Sequence, residues 1–217
     1  PDVMSLIVDN EVEAYNLPFG AMDQLLRDTG AGKPGTLSTV GLHTFVDPRR
    51  EGGKVNERTT EDLVEVVEFD GEEYLRYRPI PLDVAIVRGT TADEHGNVTM
   101  EREALVSNHL AVARAAHNNG GTVIAQVERV TKAGSTSPRE VAIPGVLVDH
   151  VVTAPPADHP QTYATPYSGE LSGEVKRPES STDDIVLDER TIIARRAAME
   201  LEPDSVINLG VGVPETI

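Results

Sequence analysis

The sequence has no cysteine and no tryptophan, and aromatic residues make up only 4% of its 217 residues. Without cysteine, the chain can form no disulfide scaffold, thiolate metal site or cysteine nucleophile. No apolar run approaches the roughly 20 residues that a membrane-spanning helix needs, and the first residues carry no basic-then-apolar signal pattern. We therefore expect a globular protein that works in the cytoplasm, away from membranes.

Basic residues are scarce as well: 19 lysines and arginines stand against 36 acidic residues, which gives a formal net charge of −17. Because duplex binding depends on basic side chains that neutralise phosphates, this balance argues against a nucleic-acid partner. Only four of the basic residues are lysines. Strong acidity with few lysines suits a halophilic protein in a salt-rich cytoplasm, where ions screen the repulsion between carboxylates. An ordinary acidic protein explains the same numbers, and the composition leaves both interpretations open.

Apolar strands alternate with amphipathic helices along the chain, which predicts an α/β fold with a largely parallel sheet flanked by helices. Asp70-Gly71 predicts a hairpin turn between two of the strands. Nearly continuous apolar residues at 82–88 predict a strand buried on both faces. The predicted strands are 12–17, 37–42, 63–69, 73–78, 82–88, 122–127, 148–152 and 205–209, and the predicted helices are 21–27, 103–117 and 189–201.

The composition changes at Ala154, where apolar patterning gives way to a segment rich in proline, serine and glycine. This change predicts a domain over 1–154, a linker over 155–186 and a second domain over 187–217. Asp188 suits the N-cap of the helix that opens the second domain. The last strand runs into glycines and then a proline suited to the first turn of a helix, so we expect a chain that is truncated at the start of its second domain.

The turn Gly210-Val211-Gly212 is the most informative local feature, because glycines after a strand let backbone N–H groups approach an oxyanion. A plain strand-to-helix turn would have the same sequence, and both interpretations stay open here.

Gln126 is polar within an apolar strand, so it should be either hydrogen-bonded or at a cleft-facing strand end. His43 follows a strand and either faces a cleft or is partly buried and hydrogen-bonded. The other five histidines show no metal-site spacing, and we interpret the sequon Asn97-Val98-Thr99 as coincidence.

Several motifs follow one another in an order that is typical of one enzyme family. They are AYNLPFG at 14–20, GKPG at 32–35, VGLHTFVDPR at 40–49, RGTTAD at 88–93, DEHGNV at 93–98, PGVLVD at 144–149 and NLGVGVP at 208–214. Together they resemble the family I CoA-transferases, and most closely the fused-subunit acetate or propionate CoA-transferases of acyl-CoA metabolism. The resemblance covers nearly all of the chain except the proline-rich linker.

The resemblance implies a CoA-transferase-like fold, in which two similar α/β domains hold the active site between them. It also implies that CoA moves between short-chain carboxylic acids in ping-pong steps, through a glutamyl-CoA thioester. Coenzyme A is then a substrate, and we expect no cofactor and no metal. The expected partners are an acyl-CoA, a short-chain carboxylate and further copies of the chain in a homo-oligomer, with no nucleic acid and no membrane.

Five substrate-binding residues are implied by the same resemblance. Asn208 matches an active-site asparagine of the family, and Gly210 and Gly212 would shape its turn. Phe19, followed by Gly20, stands where many members carry a glutamine near the acyl site. This difference bears on the acyl preference of the protein.

The nucleophilic glutamate of the family lies a couple of dozen residues past the matched asparagine. We therefore expect it beyond Ile217, and Glu215 is not its counterpart. The first domain of the family also opens with a glycine-rich stretch that should precede Pro1. The sequence thus predicts an incomplete chain that contains no catalytic residue and is inactive alone.

Two other functions compete with this one. A degenerate relative could be a non-catalytic half that binds CoA or acyl-CoA without transferring it. Phe19 and the missing glutamate motivate this alternative. A sugar-phosphate isomerase of the same superfamily would show an acid/base carboxylate and a phosphate loop within one domain, and we locate neither in the sequence.

Overall fold

The computed structural model describes residues 2–176, 178, 186–210 and 212–216. It forms two compact units, Pro1–Glu174 and Val175–Ile217. The helices are α1 (Val3–Val8), α2 (Phe19–Gly30), α3 (His109–Asn118), α4 (Gly169–Ser172) and α5 (Glu189–Ala198), with 3₁₀ turns at Gly145–Leu147, Pro156–Asp158 and Val213–Thr216. The strands are β1 (Thr36–Ser38), β2 (Val64–Phe69), β3 (Glu72–Tyr77), β4 (Val84–Arg88), β5 (Thr91–Asp93), β6 (Val98–Thr99), β7 (Thr122–Val127), β8 (Arg129–Thr131), β9 (Val141–Ile143) and β10 (His150–Thr153).

A hairpin sheet with the order β1-β3-β2 forms the first part of the first unit, and all its pairs are antiparallel. Asp70 and Gly71 join β2 to β3, and both have positive φ, 53° and 85°. Two such residues make the tight turn that matches the twist of a hairpin. The predicted hairpin is confirmed. Its inner face packs on α2 in one apolar core that includes Leu25, Leu75 and Tyr77.

A parallel sheet with the order β10-β7-β4 lies at the centre of the first unit. Helix α3 covers one face of this sheet with small side chains such as Ala113 and Ala116, which are fully buried against β4 and β7. Helices α2 and α3 approach closely, because a Cβ on Gly30 would lie 3.1 Å from the backbone nitrogen of Ala115. The predicted α/β fold with a parallel sheet and flanking helices is confirmed.

A third, mixed sheet has the order β8-β5-β6-β9 and combines parallel and antiparallel pairs. The sequence patterns resolved none of its four strands, because each is only two or three residues long. Parallel pairing therefore describes the central sheet and one pair of the mixed sheet, whereas the hairpin sheet is antiparallel.

The strands predicted at 12–17, 37–42 and 82–88 differ from the structure in extent or in burial. In place of a strand at 12–17, only Tyr15 pairs, through an isolated bridge to Lys54. The strand predicted at 37–42 ends at Ser38, since the chain turns at Gly41 and His43, both with positive φ. The strand predicted at 82–88 begins at Val84 and is buried on one face only, because α3 covers a single side of the sheet.

The helix predicted over 103–117 begins six residues later, at His109. Glu103 is buried before it, with its carboxylate bonded to the side chains of Arg88 and Thr90. These long-range partners hold the segment outside the helix. The strand predicted at 148–152 lies at 150–153, after a 3₁₀ turn.

The second unit contains α5, whose N-cap is Asp188 as predicted. The Asp188 carboxylate accepts a hydrogen bond of 2.7 Å from the backbone nitrogen of Thr191. The strand predicted at 205–209 is absent: these residues are exposed and lie in no helix or strand. A strand needs a neighbour for its backbone hydrogen bonds, and the described residues of the second unit contain no strand that could pair with this segment.

The division into domains at 154 and 187 remains a prediction. Part of the predicted linker, residues 177 and 179–185, lies outside the described residues. None of the helices that the structure describes is long and apolar enough to cross a membrane.

Candidate functional site

Two of the motifs, 14–20 and 40–49, meet in the first unit around an apolar cavity. The backbone nitrogen of Asn16 donates to the Gly53 carbonyl at 2.8 Å, which holds the first motif against the end of the second motif's loop. The cavity has a volume of about 330 Å³. Its walls come from both motifs: Asn16, Leu17, Pro18, Val40, Gly41, Thr44, Phe45 and Val46.

Helix α2 begins directly beside this cavity, with Phe19 as its first residue. Pro18 precedes the helix and offers no side-chain cap, and the first turn contains no acidic residue. The first N–H groups of any α-helix have no partner within the helix. The Phe19 side chain is 74% exposed, and a Cβ on Gly20 would meet no atom within 4 Å. The backbone of this turn is therefore open to an anionic or carbonyl oxygen.

A buried carboxylate fixes the loop that forms the other wall. Asp47 is 1% exposed and accepts hydrogen bonds from the backbone nitrogens of His43 and Arg49, each at 3.0 Å. The Arg49 guanidinium also donates to both Asp47 oxygens, at 2.8 and 2.9 Å, and reaches Glu73 at 3.0 Å. Hydrogen bonds from Arg49 hold the pKa of Asp47 well below its usual range. His43 itself is exposed, so it is not the buried histidine that one interpretation expected.

Gly41 and Tyr77 shape the cavity wall further. The buried Tyr77 hydroxyl donates to the Val40 carbonyl at 2.7 Å. Gly41 has a φ of 98°, and a Cβ there would lie 2.7 Å from the tyrosine oxygen. A side chain at Gly41 would clash, so the backbone itself forms the wall. The two motifs thus build a preformed apolar cavity next to open backbone donors, which can take an acyl chain and its carbonyl or carboxylate oxygen.

The motifs at 93–98 and 144–149 also meet, but their contacts are structural. Asp93 is buried and accepts from the backbone nitrogens of His95 and Asn97, at 2.9 and 3.0 Å. The side-chain oxygen of Asn97 accepts from the Gly145 nitrogen at 2.9 Å. Asp93 thus fixes its own loop, and the bond from Gly145 to Asn97 joins that loop to the one at 144–149. Because Asn97 is engaged and the following Val98 and Thr99 are buried, the sequon is unsuited to a glycan.

Two larger cavities, of about 570 and 600 Å³, border on Glu101 and Arg129. Arg129 pairs with Glu101 at 2.7 Å, and the hydroxyls of Thr91 and Thr99 donate to the same carboxylate at 2.6 Å each. Glu101 and Arg129, which border both cavities, are therefore already engaged with each other.

Gln126 belongs to a buried polar cluster. It is hydrogen-bonded, as one of its two interpretations expected: its side-chain nitrogen lies 3.0 Å from Nδ1 of His159. Nε2 of His159 lies 3.2 Å from Glu103, and the Arg88 guanidinium donates to the same carboxylate. Sequence reasoning missed His159, because it lies among prolines with no apolar pattern. The polar residue within strand β7 was the one signal of a partner.

His109, at the start of α3, has a buried Nδ1 without a hydrogen-bond partner among the described residues. Burial lowers the pKa of His109, against a smaller opposing effect of Glu103. A histidine in the unfolded chain has a pKa of about 6.5. Just below that pH, the unfolded chain therefore binds more protons at this position than the folded chain. The stability associated with neutral His109 is present above about pH 6.5 and is lost as the pH falls below it.

We expect His109→Leu to flatten the pH dependence of stability between about pH 5 and 7. Because a single proton is involved, the substitution can reduce the slope of unfolding free energy against pH by at most about 1.4 kcal/mol per pH unit. Urea unfolding at several pH values measures it, with the exposed His150→Gln as a control that keeps the wild-type slope. Identical slopes in wild type and His109→Leu would contradict the assignment.

The predicted site residues lie in both compact units. Phe19 and Gly20 are neighbours in the first turn of α2. Asn208 and Gly210 are exposed in the second unit, and Gly212 has a φ of 105°, which favours glycine. Val211 lies outside the described residues. The roles of the five residues in substrate binding stay predictions.

Comparison with known proteins identifies relatives along nearly the whole chain. Residues 1–154 match the family model described as coenzyme A transferase. Caffeate CoA-transferase of Acetobacterium woodii is 48% identical over 213 residues, which cover 98% of this chain and 41% of that protein. Acetate CoA-transferase YdiF of Escherichia coli K12 is 43% identical over 218 residues, or 100% of this chain and 41% of that protein.

A solved relative supports the fold. The apoenzyme of the acyl-CoA transferase YdiF from Escherichia coli O157:H7 superposes with a TM-score of 0.88 at 42% identity, over 98% of this chain and 40% of that one. The same enzyme in a thioester complex with CoA gives 0.87. This chain thus spans about two fifths of the length of the relatives it matches. By sequence and by fold, it belongs to the coenzyme A transferase family.

Proposed function

We propose that the chain contributes to an acyl-CoA:carboxylate CoA-transferase. The observation that carries the proposal is the cavity at the start of α2, where the motifs 14–20 and 40–49 meet. It offers an apolar volume next to open backbone donors, as an acyl thioester or a carboxylic acid requires. The similarity to two CoA-transferases with different acyl groups in their names supports the same reaction class.

In the proposed reaction, a glutamate carboxylate attacks the thioester carbonyl of acyl-CoA. The C–S bond breaks, CoA leaves as a thiolate, and an acyl-glutamyl anhydride remains. The thiolate then attacks the glutamyl carbonyl, so that the donor acid leaves and a glutamyl-CoA thioester forms. An acceptor carboxylate attacks this thioester, and the returning thiolate takes the new acyl group and frees the glutamate. We place this nucleophile beyond Ile217.

The residues of this chain would bind and polarise the substrate. The N–H groups of Phe19 and Gly20 would donate to a developing oxyanion, and Asn208, presented by the turn at Gly210 and Gly212, would contribute an amide contact at the acyl site. Coenzyme A is the substrate that carries the group, and the mechanism uses no further cofactor.

Short-chain acids are the proposed substrates, and the cavity of about 330 Å³ has room for a small acyl group. We further propose a cytoplasmic homo-oligomer without nucleic-acid or membrane partners. The charge of −17 is compatible with a halophilic protein, although it does not require one.

Trapping of the thioester tests the proposal. The protein, extended to the length of its relatives, is incubated with acetyl-CoA without an acceptor and then reduced with borohydride. We expect one glutamate beyond Ile217 to become an alcohol, detectable by mass spectrometry, and the 217-residue chain to remain unmodified. A modified glutamate within 1–217 would contradict the mechanism, and tight CoA binding without any adduct would favour the non-catalytic alternative. Assays with acetate and caffeate as acceptors distinguish the acyl classes.

A further inference from the structure

The last segment of the first unit, residues 155–174, folds back on that unit, and we name it the connecting strap. It begins just after the part of the chain that matches the family model, residues 1–154. Within it, the backbone nitrogens of Gln161 and Thr162 donate to the carbonyls of Pro166 and Thr165, at 2.9 and 3.0 Å. The strap ends at Glu174, and the second unit begins at the next residue.

One histidine fastens the strap. The His159 side chain is 0% exposed, although Asp158 before it and Pro160 after it are exposed. The side-chain nitrogen of Gln126 lies 3.0 Å from His159 Nδ1 and 3.4 Å from the Asp158 carbonyl. A carbonyl can only accept, so this amide nitrogen donates, and Nδ1 of His159 accepts. The proton of the neutral ring then lies on Nε2, which donates to Glu103 at 3.2 Å.

Arg88 completes the contact from the side of the sheet. Its guanidinium donates to the Glu103 carboxylate and, at 3.3 Å, to the backbone carbonyl of His159. Arg88 and Gln126 pair with each other across β4 and β7, at the carboxyl end of the parallel sheet. The histidine thus inserts into a polar recess that the sheet already presents.

Arg102, which precedes Glu103 in the chain, provides a second anchor for the strap. Its guanidinium lies 3.8 Å from the centre of the Tyr167 ring. Its carbonyl accepts from the Gln161 side chain at 2.7 Å, and the same side chain accepts from the Ser168 nitrogen at 2.8 Å. The strap is therefore held at two consecutive residues, 102 and 103.

A segment that merely joined two units would be solvated, because surface loops avoid burying polar groups. Burying a histidine against a carboxylate is costly unless every partner is satisfied, and here both ring nitrogens have partners. From these contacts we propose that His159 is a positioning residue: it locks the connecting strap onto the first unit and so constrains the point at which the chain continues into the second unit.

The consequence for catalysis rests on the proposed function. The proposed reaction uses Asn208 in the second unit and a glutamate beyond Ile217, so turnover depends on how tightly the connection before them is constrained. A loosened strap adds conformational freedom that must be lost before reaction. It should lower kcat and leave the KM for the carboxylate unchanged, because the binding groups themselves are intact.

The test compares four strap variants in the protein at the length of its relatives. His159→Ala removes the lock but leaves Glu103 paired with Arg88. His159→Gln retains an N–H donor that can reach Glu103. Tyr163→Ala is the matched control, since Tyr163 lies on the same strap and is fully exposed. Gln161→Ala loosens the second anchor and serves if His159→Ala does not fold.

We expect His159→Ala to speed hydrogen exchange at the amides of residues 161, 162 and 168 at least tenfold and to lower kcat about 3- to 10-fold. His159→Gln should restore much of both effects, and Tyr163→Ala should match wild type. Unchanged hydrogen exchange in His159→Ala would contradict the proposal that His159 holds the strap, whatever the activity of the variant. Faster exchange with wild-type kcat overturns the positioning role. A wild-type protein that transfers no CoA contradicts the proposed function instead, and the exchange data still decide whether His159 holds the strap.

Discussion

Asn208→Ala, in the protein at the length of its relatives, should lower kcat by roughly 10- to 1,000-fold, on the scale of losing one oxyanion donor. This prediction rests on the family motif 208–214. Asn208 is exposed in the second unit, so its side chain has no place in a buried core whose loss would account for lower activity. An amide that donates to developing negative charge contributes more in the transition state than in the bound substrate. The loss should therefore fall on kcat rather than on KM.

Steady-state kinetics with acetyl-CoA and a carboxylate acceptor measure this effect. Val206→Ala is the matched control, since Val206 is fully exposed in the same segment and is not part of the motif. Wild-type turnover in a correctly folded Asn208→Ala protein would remove Asn208 from the site. A rise in KM alone would make it a general binding residue.

Gly145→Ala should destabilise the first unit by about 3 kcal/mol or more, the largest structural effect that we expect. A Cβ at this position would lie 2.0 Å from the backbone carbonyl oxygen of His95 and 3.0 Å from the backbone nitrogen of Asn97. Backbone cannot move aside as a side-chain tip can. The new methyl would push apart the two loops that the Asn97 side chain joins.

Urea unfolding of the wild type and the variant measures the change, and Gly20→Ala is its control. Gly20 lies in α2, where an added Cβ meets nothing within 4 Å, so alanine should raise stability by up to about 1 kcal/mol through its higher helix propensity. A Gly145→Ala chain as stable as wild type would show that the loops can separate at little cost.

Local signals in the sequence predict the elements whose structure is decided locally. The hairpin at Asp70-Gly71 depends on two residues that tolerate positive φ, and the N-cap of α5 depends on Asp188 and the next turn. Both could be predicted, because all of their determinants lie within a few residues. Strand β7 was predicted for a related reason, since its apolar run is long enough to stand out.

Distant partners decided the elements that sequence reasoning missed. The residues before His109 have helical spacing, but Glu103 is held by Arg88, Thr90 and His159, which lie 13 to 56 residues away. The segment 205–209 has the composition of a strand, but the described residues of its own unit contain no strand to pair with it. Pattern alone cannot show whether such a partner is present.

The candidate site divides in the same way. The motifs 14–20 and 40–49 were recognisable as family features, and the structure adds that they enclose one cavity. The motif at 93–98 was equally recognisable, yet Asp93 fixes its own loop and Asn97 joins that loop to its neighbour. A motif identifies residues that a family retains, and only the contacts distinguish binding from architecture.

Among the described residues, α3 packs on one face of the parallel sheet and leaves the other face of β4 exposed. This has a consequence for the behaviour of the chain in solution. β4 is the last strand on one side of that sheet among the described residues, and its Val84 and Ile86 are 54% and 74% exposed. An apolar strand at a sheet edge is a template for pairing with another chain, and the charge of −17 opposes such encounters at low ionic strength. Salt therefore acts in two opposite ways on a purified sample: it relieves repulsion inside each molecule, and it removes the barrier that keeps the edges of separate molecules apart.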